Sequence, residues 1–138
     1  MQIEFPDNIK SVRRAGGGTY IVGKEGTTNV FHFPIPTPVI INDHRLRVGS
    51  VLLKCVTGSN HAAINTVNIN DGKVLLKSYD NLNLIGNIGL KRFDVPNSPE
   101  VQLGVDIVVH VSFPPAMEIH PDDAFSMTFE AAGCDFLP

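Results

Sequence analysis

In VQLGVDIVVHVSF, residues 101–113, every odd position from Val101 to Phe113 is apolar, while most even positions are polar or glycine. A period of two sends successive side chains to opposite faces, so this stretch predicts a long, half-buried strand at the centre of a sheet. The same alternation runs through residues 46–56, but the apolar parity changes after Gly49, which predicts a bulge or bend there. Further strands are expected at residues 18–23, 28–35, 61–69, 73–79, 82–93 and 124–132, where β-branched and aromatic residues are frequent. Turn chemistry separates them: Asn42-Asp43, Gly58-Ser59-Asn60, Asn70-Asp71-Gly72 and the proline-rich run from Val95 to Pro99. No stretch carries helical periodicity with caps over three turns. Residues 122–132 open on Asp122 and Asp123 as a helix would, yet Phe125, Met127 and Phe129 alternate as in a strand. About eight antiparallel strands predict an all-β fold, an antiparallel β-sandwich of jelly-roll type. An immunoglobulin-like sandwich is less favoured, because no Cys/Trp/Cys core is present.

Residues 31–41, FHFPIPTPVII, set a proline at every second position through the middle of an otherwise strand-like run. Neighbouring residues of an extended strand aim their N–H groups at opposite edges, so Pro34, Pro36 and Pro38 remove donors from one edge only. Such a strand pairs fully on one side and is expected at the edge of its sheet. A polyproline ligand needs an exposed PxxP rather than a strand-embedded PxPxP.

The runs FHFPIPTPVIIND, NINDGK, LNLIG and KRFDVPNSPEVQLGVDIVVHVSF resemble a family of small, functionally uncharacterised bacterial and fungal proteins. The resemblance covers residues 28–113 and rests on a turn-and-strand pattern. It implies a compact all-β protein and brings no catalytic residue with it.

The 138 residues suit a single domain, 1–138, and the hydrophobic fraction of 43% with 18% charged residues is that of an ordinary globular chain. A net charge of −3, with basic residues in scattered pairs (Arg13/Arg14, Arg45/Arg47, Lys91/Arg92), gives no footprint for nucleic acid. No apolar run matches a membrane helix and the first residues do not read as a signal peptide, so a cytoplasmic location and no membrane partner are expected. Cys55 and Cys134, far apart and without Cys-x-x-Cys spacing, read as reduced core thiols, with a disulfide left open to spatial proximity.

Chemistry is sparse. The glycine run in RRAGGGTYIVG leads into a strand, without the Gly-Lys-Ser/Thr or helix start of a phosphate loop, and reads as a turn. None of the histidines at 32, 44, 61, 110 and 120 forms a His-x-His pair. Glu118, His120 and Asp122 would share one side of an extended segment and are the candidate metal ligands, although surface loops also collect such residues for solvation. Asp106 and His110 share a strand face but stand about 13 Å apart, too far for a dyad. No Gly-x-Ser-x-Gly elbow is present, so catalysis has no support, no cofactor is expected, and a metal-dependent enzyme is the remotest reading. Without tryptophan, a lectin-like carbohydrate site would depend on Tyr20 and Tyr79. The favoured reading is a non-catalytic structural or interaction module that forms a homo-oligomer. Val108 beside Val109, and Leu52 between Val51 and Leu53, would be apolar on both strand faces, to be covered by a second subunit or by the chain's own loops.

Overall fold

The computed structural model describes residues 1–37, 40–116 and 118–138, without the side chain of Ile41. Its strands are β1 (Gln2–Ile3), β2 (Ile9–Ala15), β3 (Gly18–Gly23), β4 (Thr27–Pro34), β5 (Ile40–Ile41), β6 (His44–Arg45), β7 (Arg47–Thr57), β8 (Ala63–Asp71), β9 (Val74–Tyr79), β10 (Asn87–Asp94), β11 (Val105–Phe113) and β12 (Ser126–Leu137). Two five-stranded antiparallel sheets, ordered β1-β4-β11-β8-β9 and β10-β7-β12-β3-β2, pack face to face. The pair β5-β6 stands apart from both.

Eight strands carry a nested pairing: β3 with β12, β4 with β11, β7 with β10 and β8 with β9. The first meets the last and the second meets the last but one, as in one long hairpin of strands. Rolling that hairpin up sets β12 beside β7 and β11 beside β8, which is the jelly roll that the alternation predicts. The additional strands are short or irregular. β2 was not foreseen because its apolar residues, Ile9 and Val12, are three apart, and a register shift between Ile9 and Ser11 reconciles that spacing with the pleat.

Inward parity follows expectation along β11, where Val105, Ile107, Val109, Val111 and Phe113 are buried. The strand starts four residues later than expected, and Leu103 points into solvent. The core is closed across the two sheets by Phe129, whose ring centroid lies 5.1 Å from that of Phe31 and 4.9 Å from that of Phe33. Gly49 is the extra residue of a bulge, since Val48 and Ser50 face the consecutive residues Phe136 and Asp135. Residues 122–132 resolve into one 3-10 turn, Asp122–Phe125, followed by β12.

Two expectations are corrected. The proline-bearing strand β4 is not the edge of its sheet, because β1 pairs with it at Phe31 and His32. β1 goes no further, so Pro34 lies beyond the covered stretch, and the Ile35 N–H donates inward to the Val105 carbonyl at 2.9 Å, as the parity argument requires. Pro38 lies outside the described residues. The second concerns Val108, which is only 6% exposed in the single chain and is flanked in register by His32 and Asn68. Leu52 is half-buried. A second subunit is therefore not required to cover Val108.

Candidate functional site

The two tyrosines lie on different sheets, and both are engaged within the chain. Tyr20, on β3, donates its hydroxyl to Asp123 Oδ1 at 3.0 Å, and the Arg13 guanidinium carbon lies 5.5 Å from its ring centroid. Tyr79, at the end of β9, donates to the Asp94 carbonyl and so ties an edge of one sheet to an edge of the other. The Lys77 ammonium sits 5.2 Å from the Tyr79 ring centroid, while Phe93 packs 5.3 Å away. Each hydroxyl is thus committed within the chain, and a cation lies near each ring.

Glu118, His120 and Asp122 are all exposed. The Asp122 carboxylate accepts from Lys10 Nζ at 2.8 Å, and the His120 ring lies 4.5 Å from that of His61. Among the described residues no group of three His, Cys, Asp or Glu side chains converges as a metal site would require. His120 and Asp122 instead border a small cleft of about 190 Å³ with Lys10, Lys24, Glu25 and Phe125. Two ammonium groups and two carboxylates share that lining, and the Lys10 ammonium already occupies the Asp122 carboxylate.

The glycine run forms a tight turn at Gly16-Gly17 between β2 and β3, and leads to no helix. It rims a second cleft of about 360 Å³, floored by Phe33 and Phe129 and flanked by Arg14 and Glu130. A third, of about 430 Å³, lies under the β5-β6 hairpin, where His44, Arg45 and Arg47 face Glu100 and Asn42. In the sequence Arg45 and Arg47 read only as one of several scattered basic pairs. The missed signal is their spacing of two behind an Asn-Asp turn, which keeps both on one side of an extended segment.

A further group was not foreseen. His32 on β4 lies between two carboxylates, with Nε2 3.4 Å from Glu4 Oε1 and Nδ1 3.3 Å from Asp106 Oδ2. The Asp106 carboxylate thus meets His32 across the sheet. Asp106 Oδ1 is buried without a partner, as is the Oδ1 of Asn70 directly opposite in register. Turning the Asn70 amide through a half-rotation would present a donor there instead.

Cys55 and Cys134 are free thiols on neighbouring strands. Cys134 faces Val51 in register, four positions along β7 from Cys55, a separation of about 13 Å and beyond disulfide reach. Burial, then the Glu130 charge, pushes the Cys55 thiol up to about 12, and burial, then the Asp135 charge, pushes Cys134 up to about 11. Thiolate is the reactive form, so a disulfide reagent near pH 8 is expected to label the folded protein about a hundred times more slowly than the unfolded chain. Comparable labelling of the two states would refute this.

The profile of a family of unknown function, DUF6623, matches residues 1–136. The chain belongs to that family. Membership extends the resemblance read from residues 28–113 to nearly the whole chain and assigns no residue a role. No curated protein matches the chain. Among the described residues no helix is long and apolar enough to cross a membrane.

Proposed function

We propose that the protein is a non-catalytic interaction module that self-associates edge to edge through β9. A comparison of the four free sheet edges carries this reading. An uncovered edge offers unpaired N–H and C=O groups to any further strand, and proteins guard such edges with charge or brevity. β1 is two residues long, β2 carries Lys10, Arg13 and Arg14, and β10 carries Lys91, Arg92 and Asp94. β9, reading VLLKSY, carries Lys77 alone, and that ammonium lies by Tyr79. Its first two residues, Val74 and Leu75, are 63% and 55% exposed, with Leu103 exposed beside the neighbouring turn at Gly72. Against a second copy, antiparallel β9 pairing would extend the sheet across a two-fold axis and cover these side chains in both subunits.

Full burial of such a residue is worth about 1.5–3 kcal/mol, so six partly covered side chains fall within the range of the association cost of about 4–15 kcal/mol. Ladder hydrogen bonds add to that, and a micromolar dimer is expected. Light scattering at about a hundred times that concentration is predicted to give twice the monomer mass, falling toward the monomer on dilution. Leu75→Lys should restore the monomer with an unchanged β-rich circular dichroism spectrum. A monomer throughout, or a dimer indifferent to Leu75→Lys, overturns the proposal.

A further inference from the structure

Independently of self-association, we propose that the cleft under the β5-β6 hairpin binds a small polyhydroxylated anion, a sugar acid or a sugar phosphate. The hairpin turns through Asn42 and Asp43, both in the left-handed region at φ 52° and 63°, the geometry of a tight two-residue turn. It overhangs a short antiparallel pairing in which Arg47 bridges Glu100, the Val101 N–H donates to the Leu46 carbonyl at 2.9 Å and the Val48 N–H donates to the Pro99 carbonyl at 3.1 Å. Backbone hydrogen bonds thus fix Arg47 and Glu100 relative to one another in the lining.

Two guanidinium groups stand in these walls with different duties. Arg45 is half-buried and anchored, donating from Nη1 to the Val101 carbonyl at 3.1 Å, and its positive charge is felt by the Asp71 carboxyl. That anchoring fixes its direction and leaves further N–H donors unspent. Arg47 is exposed and, among the described residues, forms no ion pair, although Glu100 is its partner in the backbone bridge. A guanidinium fork matches a carboxylate or phosphate in two-point contact, which an ammonium does not.

The rest of the lining argues for hydroxyl groups on the same molecule. A bare anion would be repelled by Glu100, whereas a sugar ring can place its oxyanion toward the arginines and donate from its hydroxyls to that carboxylate. Asn42 can donate and accept, and Leu46 with Pro138 supplies an apolar wall for the C–H face. A volume of about 430 Å³ accommodates one monosaccharide and lies within the ordinary range for small-ligand sites.

Heteronuclear NMR titration of the whole chain tests this with four probes: glucuronate, glucose 6-phosphate, glucose and inorganic phosphate. At least one anionic sugar is expected to bind in the millimolar range or tighter, shifting amides of residues 42–47 and 99–101, with glucose and inorganic phosphate each about ten-fold weaker. Arg47→Gln, an exposed substitution checked for folding by its spectrum, should weaken that binding about ten-fold, while Arg92→Gln on a sheet face should leave it unchanged. The stronger of glucuronate and glucose 6-phosphate identifies which oxyanion the site prefers. Absence of shifts with either anionic sugar, glucose binding as tightly, inorganic phosphate binding as tightly, or indifference to Arg47→Gln would each overturn the assignment.

Discussion

Asp71→Ala is expected to destabilise the protein by about 3 kcal/mol in urea unfolding. Asp71 ends β8, is 5% exposed, and accepts three backbone N–H groups: Gln102 on Oδ2 at 2.7 Å, and Leu103 and Gly104 on Oδ1 at 2.8 and 3.0 Å. A hydrogen bond to a charged acceptor contributes about 1.5–3 kcal/mol, but three bonds sharing one anchor do not add in full. Gln102 and Leu103 are exposed, so water can replace part of what is lost. Asp71→Asn keeps the Oδ1 acceptor while setting an amide donor against the Gln102 N–H, and should therefore cost less than alanine.

The same site predicts a pH dependence. Burial alone would raise the Asp71 carboxyl, but the N–H groups of Gly104, Gln102 and Leu103, and then the Arg45 charge, outweigh it and hold the group below its ordinary value of 3.8. A depressed folded value means that the unfolded chain takes up this proton first on acidification. The stabilisation is complete above the ordinary value and is lost as pH falls through the lower folded one. The stability gap between the native protein and Asp71→Ala should accordingly narrow below about pH 4. A gap that stays constant through that window would show that charge plays no part.

Asp71 also shows how far the sequence can be read. In Asn70-Asp71-Gly72 the aspartate reads as a turn residue, and a turn does follow, with Gly72 at φ 58°. Its side chain, however, serves a segment thirty-one to thirty-three residues away, and only the pairing of β8 with β11 brings Gln102, Leu103 and Gly104 to it. The eight jelly-roll strands are legible because burial on one face imposes a local period of two. The site features are not, because Glu4, His32 and Asp106 come from three strands or their flanks, and their meeting depends on register. Register also misled the reading of Val108, where apolar residues on both faces suggested an exposed patch that neighbouring side chains close within the same sheet. The cationic cleft needed both kinds of information: Arg45 and Arg47 are near in sequence, but Glu100 reaches them only through a bridge formed after folding.

Across the core, Gly23 and Phe113 make a prediction of comparable size that couples the two sheets. A Cβ at Gly23 would lie 2.4 Å from two carbons of the Phe113 ring, and that ring is fully buried, so it cannot turn out to solvent. The backbone at Gly23 is not in the left-handed region, so the glycine is required by this close approach and not by its dihedral angles. Gly23→Ala should cost about 1–3 kcal/mol through overpacking. Phe113→Ala should cost about 3–5 kcal/mol, the lost transfer energy together with the cavity left between β11 and β3. In the double variant the new methyl group enters space that the ring has vacated, so neither the clash nor the whole cavity remains. The combined loss should fall short of the sum of the single losses by at least about 1 kcal/mol, measured as a double-mutant cycle by urea unfolding. Additive losses would mean that the ring accommodates a methyl group at position 23 by moving elsewhere in the core, and that this contact does not set the spacing of the sheets at that end of the sandwich.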